Sequence, residues 1–190
     1  MYQAILDHIR KYVVLTQEEE ELLCQNLEYK KHPKKEFLLE AGKICKGNYF
    51  IVKGCVRQYF INRKLNEQII HFAIENWWIA DQDSLMTGQP SACTIQAIEE
   101  TEVLLLPEKN KADLFRQVPV LETYFALIMR KAFVAAQRRL GYIFNMTDEE
   151  RFRHFSSLFP EFMQRVPQYM LASYLGFTPQ FMSRLRAKKN

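Results

Sequence analysis

Apolar residues recur along the chain at two periods, and the places where the period changes mark its parts. Between Tyr2 and Leu27, Ile5, Leu6, Ile9 and Val13, then Leu22, Leu23 and Leu27, fall at helical spacing, while Thr16 with Glu19 supplies a capping box for the second segment. Two short helices are predicted. From about Tyr29 to Leu106, short β-branched and aromatic runs take over, namely Phe37 to Leu39, Tyr49 to Val52, Val56 to Ile61, Ile69 to Ile74, Cys93 to Ile98 and Val103 to Leu106. Turn residues separate them at Ala41 to Lys43, Lys53 and Gly54, Asn62 to Asn66, and Thr87 to Pro90. That punctuation favours an antiparallel sandwich or roll over a parallel sheet.

After Pro107 the helical period returns, first over Glu108 to Arg116 and then over a segment of about 25 residues entered through Pro119 and running toward Asn145. Leu121, Phe125, Ile128, Ala132, Ala135 and Tyr142 form its apolar ladder; Leu127, Val134 and Leu140 widen the stripe beyond one face. Such a helix has two surfaces to cover. One is its own β domain. The other is either the same helix of a second subunit, which Ala132, Ala135 and Ala136 let approach closely, or more of the same monomer. Asn145 to Thr147 breaks the run, and Thr147 with Glu150 opens a further helix that continues to about Phe159.

Residues 167–186 read as helix, short turn, helix. Ala172 is small where the two helices cross, Gly176 suits the positive φ of the turn, and Leu171, Leu175, Met182 and Leu185 supply a shared apolar face. Thr178 caps the second helix and Pro179 occupies its first turn, leaving Gln180, Ser183 and Arg184 outward. Arginine pairs bidentately with guanine and glutamine with adenine, whereas Arg186, Lys188 and Lys189 suit phosphates. An ordinary αα-hairpin has the same layout, so the acid-free flanks and the exposed polar ladder separate the two readings.

Charge follows the same division. The net +4 of the 190 residues resolves into −3 over residues 1–129 and +7 over residues 130–190, and no acid follows Glu161. A polyanion is the natural partner of such a field, and a solvated basic tail is the bland alternative. With 48% hydrophobic and 25% charged residues the composition excludes a disordered chain. No apolar stretch approaches the ~18 residues of a membrane span. The N-terminus, mixing Asp7, His8, Arg10 and Lys11 with apolar residues, is unlike a secretory signal, and a cytoplasmic location is expected. Cys24, Cys45, Cys55 and Cys93 are too dispersed for a metal or redox cluster and read as buried free thiols. The six glycines form neither GxGxxG nor a P-loop, and His8, His32, His71 and His154 are scattered, so no enzyme signature emerges.

Tyr49-Phe50-Ile51-Val52-Lys53-Gly54-Cys55-Val56 after Gly42, followed by Ala80-Asp81, Ser91-Ala92 and Ala97, then the long helix and a terminal Ser-Arg-Leu-Arg, resemble the bacterial regulators related to the cyclic-AMP receptor protein and the fumarate-and-nitrate-reduction regulator (the Crp/Fnr family). The likeness covers nearly the whole chain. It implies an α+β fold with an N-terminal antiparallel β-roll (a double-stranded β-helix of the cyclic-nucleotide-binding type) and flanking helices, a long dimerisation helix, and an all-α helix-turn-helix domain resembling a winged helix. The implied divisions are 1–118, 119–145 and 146–190. The effector-pocket candidates are Asp81, Ser91 and Ala92; the DNA-binding candidates are Thr178, Gln180, Ser183, Arg184, Arg186 and Lys188.

Departures from the family shape the effector expectation. In members that bind cyclic nucleotides a glutamate holds the ribose and an arginine ten residues later neutralises the phosphate; here these positions hold Asp81 and Ser91. Serine balances no phosphate charge, and Asp81 with Asp83 repels an anion. No cofactor is expected, tight cyclic-nucleotide binding is not expected, and the effector is unknown; Trp77, Trp78 and Ile79 read as apolar core. The expected partners are double-stranded DNA, a second copy through the 119–145 helix, and RNA polymerase, with no membrane. The reading from another class is a stand-alone small-molecule sensor or protein-interaction module.

Overall fold

The computed structural model describes residues 1–178, 181 and 184. Two helices open the chain, α1 (Gln3–Arg10) and α2 (Gln17–Gln25). The capping box of α2 is complete: the Glu19 amide donates to Thr16 Oγ1 at 3.3 Å and the Thr16 amide donates to Glu19 Oε2 at 2.8 Å. Among the described residues eight strands follow: β1 (Glu28–His32), β2 (Phe37–Leu39), β3 (Gly47–Lys53), β4 (Val56–Ile61), β5 (Glu67–Ala73), β6 (Trp78–Ile79), β7 (Thr94–Ala97) and β8 (Thr101–Pro107). Helix α3 (Gln82–Thr87) lies between β6 and β7 in sequence. The strands form two four-stranded sheets, ordered β1-β8-β3-β6 and β2-β7-β4-β5. The expected antiparallel roll is the observed fold.

Side-chain alternation on β3 and β8 explains why these two strands read as continuous apolar runs. Tyr49, Ile51, Val103 and Leu105 join Leu39, Val56 and Ile95 in a core drawing on both sheets. Phe50, Leu104 and Leu106 point the other way, into a second core with Ile5, Ile9 and Leu23 of the opening helices and Leu114, Leu121, Tyr124 and Phe125 further on. Strands buried on both faces carry no polar alternation. Two glycines are fixed by this packing: a Cβ at Gly47 would meet Leu106 O at 2.1 Å, and Gly54, at φ +100, turns β3 into β4 with Glu100 O 2.6 Å from the same point.

Helix α4 (Glu108–Gln117) and the 26-residue α5 (Val120–Asn145) follow, then α6 (Asp148–Leu158), α7 (Pro160–Arg165) and α8 (Gln168–Leu175). The chain divides into two compact units, one of Met1–Phe60 with His71–Met129, the other of Ile61–Ile70 with residues from Arg130 onward. The second unit has its own core of Phe152, Phe162, Val166, Met170, Leu171, Ala172, Leu175 and Phe177, all buried. Its α6 begins at the expected Thr147–Glu150 box, and Arg151 adds a bond of 3.2 Å to Ile143 O and a stack over the Phe177 ring. Strand β1, strand β6 and helices α3 and α7 were not expected from sequence. Trp78 and Ile79 are core residues as expected, but Trp77, which precedes the strand, is exposed and stacks on the His71 ring. Among the described residues no helix is long and apolar enough to cross a membrane.

Along α5 exposure changes abruptly. Leu121, Tyr124 and Phe125 are buried, yet Phe133, Leu140 and Phe144 are 63%, 55% and 82% exposed. Of the sequence-based ladder, only Leu121 and Phe125 are buried; Ala132 and Ala135 are exposed. A different line of residues, Ala126, Met129, Phe133, Ala136, Leu140 and Ile143, alternates at spacings of three and four along the helix, the repeat of a coiled-coil seam.

Candidate functional site

The effector candidates meet where β6 hands over to α3. Asp81 is the N-cap of α3, and its Oδ1 accepts the amides of Asp83 at 3.2 Å and Ser84 at 3.4 Å, the donors a helix start leaves unpaired. Its other oxygen, Oδ2, accepts a short hydrogen bond from the Ser91 hydroxyl. The same hydroxyl oxygen accepts the Cys93 amide at 2.9 Å, while the Ser91 backbone donates to Lys43 O at 2.9 Å and accepts the Gly42 amide at 2.7 Å. Asp81 and Ser91 are 8% and 4% exposed, so the two side chains satisfy each other out of water. Ala92 is exposed and carries no polar group.

Ser84, which no sequence signal singled out, completes the cassette: its hydroxyl accepts the Cys45 amide at 3.0 Å and donates to Gln89 O at 2.6 Å. Serine is too common a residue, and Cys45 too distant from it in sequence, for the pattern to be legible in the sequence. Burial raises the thiol pKa values of Cys45 and Cys93, and the Asp81 charge adds to both shifts. None of the four cysteines forms a disulfide; Cys45 and Cys55 are buried, whereas Cys24 and Cys93 are half-buried, so burial is less complete than expected. Raised values keep these thiols protonated and unreactive. The cassette thus presents one carboxylate, already bonded through both oxygens, and two protonated thiols. That is chemistry suited to a closed turn and poorly suited to a phosphate.

The second candidate site starts at α8. Leu171, Ala172 and Leu175 are buried, and the helix ends at Gly176 with φ 81, where the Phe177 amide bonds Ala172 O at 2.8 Å. That is a left-handed glycine cap. Thr178 is exposed, and its Oγ1 accepts the Phe181 amide at 3.2 Å, the N-cap role expected of it. Phe181 and Arg184 are both helical; Phe181 lies edge-on to Phe177 at 5.5 Å, and Arg184 is exposed with its guanidinium 5.7 Å from the Phe181 ring. Gln180, Ser183, Arg186 and Lys188 lie outside the described residues, as do Met182 and Leu185. Among the described residues no cluster of histidine, cysteine and acidic side chains has the makings of a metal site.

Residues 29–118 match the cyclic nucleotide-binding domain family. No curated protein matches the sequence. Solved structures do match in fold. The catabolite activator protein of Thermus thermophilus aligns at 18% identity over 92% of this chain and 83% of its own, with a TM-score of 0.58. The c-di-GMP-responsive global regulator CLP of Xanthomonas campestris aligns at 14% identity over 91% of both chains, with a TM-score of 0.73. FixK2 of Bradyrhizobium japonicum aligns at 19% identity over 85% of this chain and 83% of its own, at 0.68.

Proposed function

We propose that this chain, whose residues 29–118 match the cyclic nucleotide-binding domain family and whose fold is that of solved Crp/Fnr-type regulators, is a sequence-specific DNA-binding transcription regulator working as a homodimer. The observation that carries this reading is the end of the second unit: a glycine-capped α8, a tight turn, and a Thr178-capped helical segment presenting Arg184 to solvent in a stretch without acids. In this reading residues 1–118 are the sensor, 119–145 the dimer helix and 146–190 the DNA-binding domain. Gln180, Ser183 and Arg184 address base edges; Thr178, Arg186 and Lys188 address the backbone. Two such segments on a two-fold dimer enter major grooves about 34 Å apart on a palindromic site. RNA polymerase is the further partner a regulator meets, and the cytoplasm is where it meets it.

The seam from Ala126 to Ile143 supports the dimer, since its large apolar side chains face water and repeat as coiled-coil positions do. On the sensor side, the Asp81–Ser91 bond supports a roll that does not answer to cyclic AMP: an incoming cyclic phosphate would have to break a buried charge-assisted bond and then sit beside the carboxylate. An effector of another kind acts only by its difference in affinity between the two states of the dimer.

The test is duplex binding as a function of salt, with sites drawn by selection from genomic fragments. Affinity is expected to fall steeply and linearly in log salt, and Arg184→Ala to cost ~1–3 kcal/mol together with the base preference at its position. Binding that ignores salt, or an Arg184→Ala variant with unchanged affinity and preference, defeats the reading and favours a protein-interaction module. Calorimetry with cyclic AMP and cyclic GMP is expected to show no binding at the roll.

A further inference from the structure

The end strand of one sheet and the end of one helix each leave polar backbone groups that need partners, and in the second unit they find each other. β5 closes the order β2-β7-β4-β5, so among the described residues one of its edges has no neighbouring strand. Along an antiparallel edge strand every second residue turns its amide and carbonyl outward, here Glu67 and Ile69. Ser173 of α8 meets both: its hydroxyl donates to Glu67 O at 2.7 Å and accepts the Ile69 amide at 2.9 Å, taking the place of a strand's peptide group.

At the same time α8 ends with carbonyls that no further turn of helix receives. Gln68 Nε2 donates to Ser173 O at 2.6 Å, and Arg139 Nη2 donates to Tyr174 O at 2.7 Å. Arg139 reaches the strand as well, through Nη1 to Ile70 O and Nη2 to Ile69 O at 3.5 Å, while its guanidinium lies 3.9 Å from the centre of the Tyr174 ring. A planar fork of donors at the negative end of a helix, stacked on an aromatic face, is a task for arginine and not for lysine. Burial lowers the Arg139 pKa and raises that of Tyr174, as expected where water is scarce, though guanidinium stays charged.

We propose that Arg139 is a positioning residue for the DNA-reading segment: with Ser173 and Gln68 it clasps the C-terminal end of α8 to the open edge of β5, so that the strand sets where the Gly176 turn begins. The effect on DNA rests on the regulator reading above; the clasp itself does not. Residues 67–70 run on without a break into the remainder of β5, so the segment hydrogen-bonded to α8 is covalently continuous with the rest of the strand.

Hydrogen exchange on the full chain decides it. Ser173→Ala and Arg139→Gln are each expected to speed exchange of the amides of residues 67–70 and 172–176 by about tenfold, with α1 and β8 unchanged. Arg139→Lys is expected to fall between wild type and Arg139→Gln. Duplex affinity should drop about threefold to tenfold in both variants with the salt slope unchanged, since a side chain that only positions its neighbour releases no counterions. Unchanged exchange at 67–70 and 172–176 in Ser173→Ala overturns the clasp even if Arg139→Gln does not fold. A salt slope reduced by about one in Arg139→Gln overturns the positioning role, because the side chain then touches phosphate. A wild-type chain that binds no duplex defeats the regulator reading alone, and exchange still decides the clasp.

Discussion

The two halves of α5 are one continuous helix in two environments. In the first, Leu121, Tyr124 and Phe125 complete a core with Ile5, Ile9 and Phe50, and the Tyr124 hydroxyl accepts Trp78 Nε1–H at 2.8 Å with His8 Nδ1 at 2.7 Å on its other side. In the second, Phe133, Leu140 and Phe144 face water. Helix propensity is similar throughout, so the difference lies in tertiary partners. The first half is held by this chain's own residues. The second carries the repeat of a seam and leaves its large apolar side chains in water, the surface that the proposed dimer would cover.

The strongest way to break that contrast is a truncation in each half. Leu121→Ala removes a fully buried side chain and is expected to cost ~2–5 kcal/mol of folding stability, the range for core leucines. Its effect in urea denaturation should be the same at low and high protein concentration. Leu140→Asp is expected to do the reverse. It should leave the monomer's stability within ~0.5 kcal/mol, as surface substitutions do, and weaken self-association by well over tenfold in sedimentation equilibrium. A Leu140→Asp chain that associates like wild type would assign the seam to some other role.

What the sequence announced divides along the same line between local and distant causes. Both capping boxes, the Gly176 turn and the boundaries of α4 and α5 were legible, because each depends on residues within one turn of one another. Strand β1 was not. Glu28 and Lys30 put charge on one face and Lys31 on the other, and it exists because it pairs with β8 as the end strand of its sheet, where charges discourage further pairing. Helix α3 was hidden for another reason: Asp81, its cap, reads as pocket chemistry, whereas Gly88 at φ 68 ends the helix seven residues later. The Asp81–Ser91 pair was suggested only by its family register, since a separation of ten residues predicts no contact by itself. Arg139 gave no signal at all. Beside Arg138 on a long helix it looks like a solvated charge until β5 and α8 are seen to meet it.

The smallest effect concerns the joint between α5 and α6, and it tests how far a local device acts alone. Glu150 is exposed, and hydrogen bonds from the Thr147 amide at 2.9 Å and the Thr147 hydroxyl at 2.8 Å hold its carboxyl below the ordinary value of 4.5. Its folded-state pKa is depressed, so the box contributes stability that is complete above the ordinary carboxylate value and is lost as pH falls through the lower, folded value. Thr147→Ala removes the capping hydroxyl and is expected to cost ~1 kcal/mol at neutral pH. The difference between wild type and Thr147→Ala in thermal melting should therefore narrow on acidification below about pH 4.5. A gap that stays constant down to acid would show that the Thr147 hydroxyl caps α6 without help from the Glu150 charge. A gap that appears only at high protein concentration would tie the joint to the seam in the second half of α5.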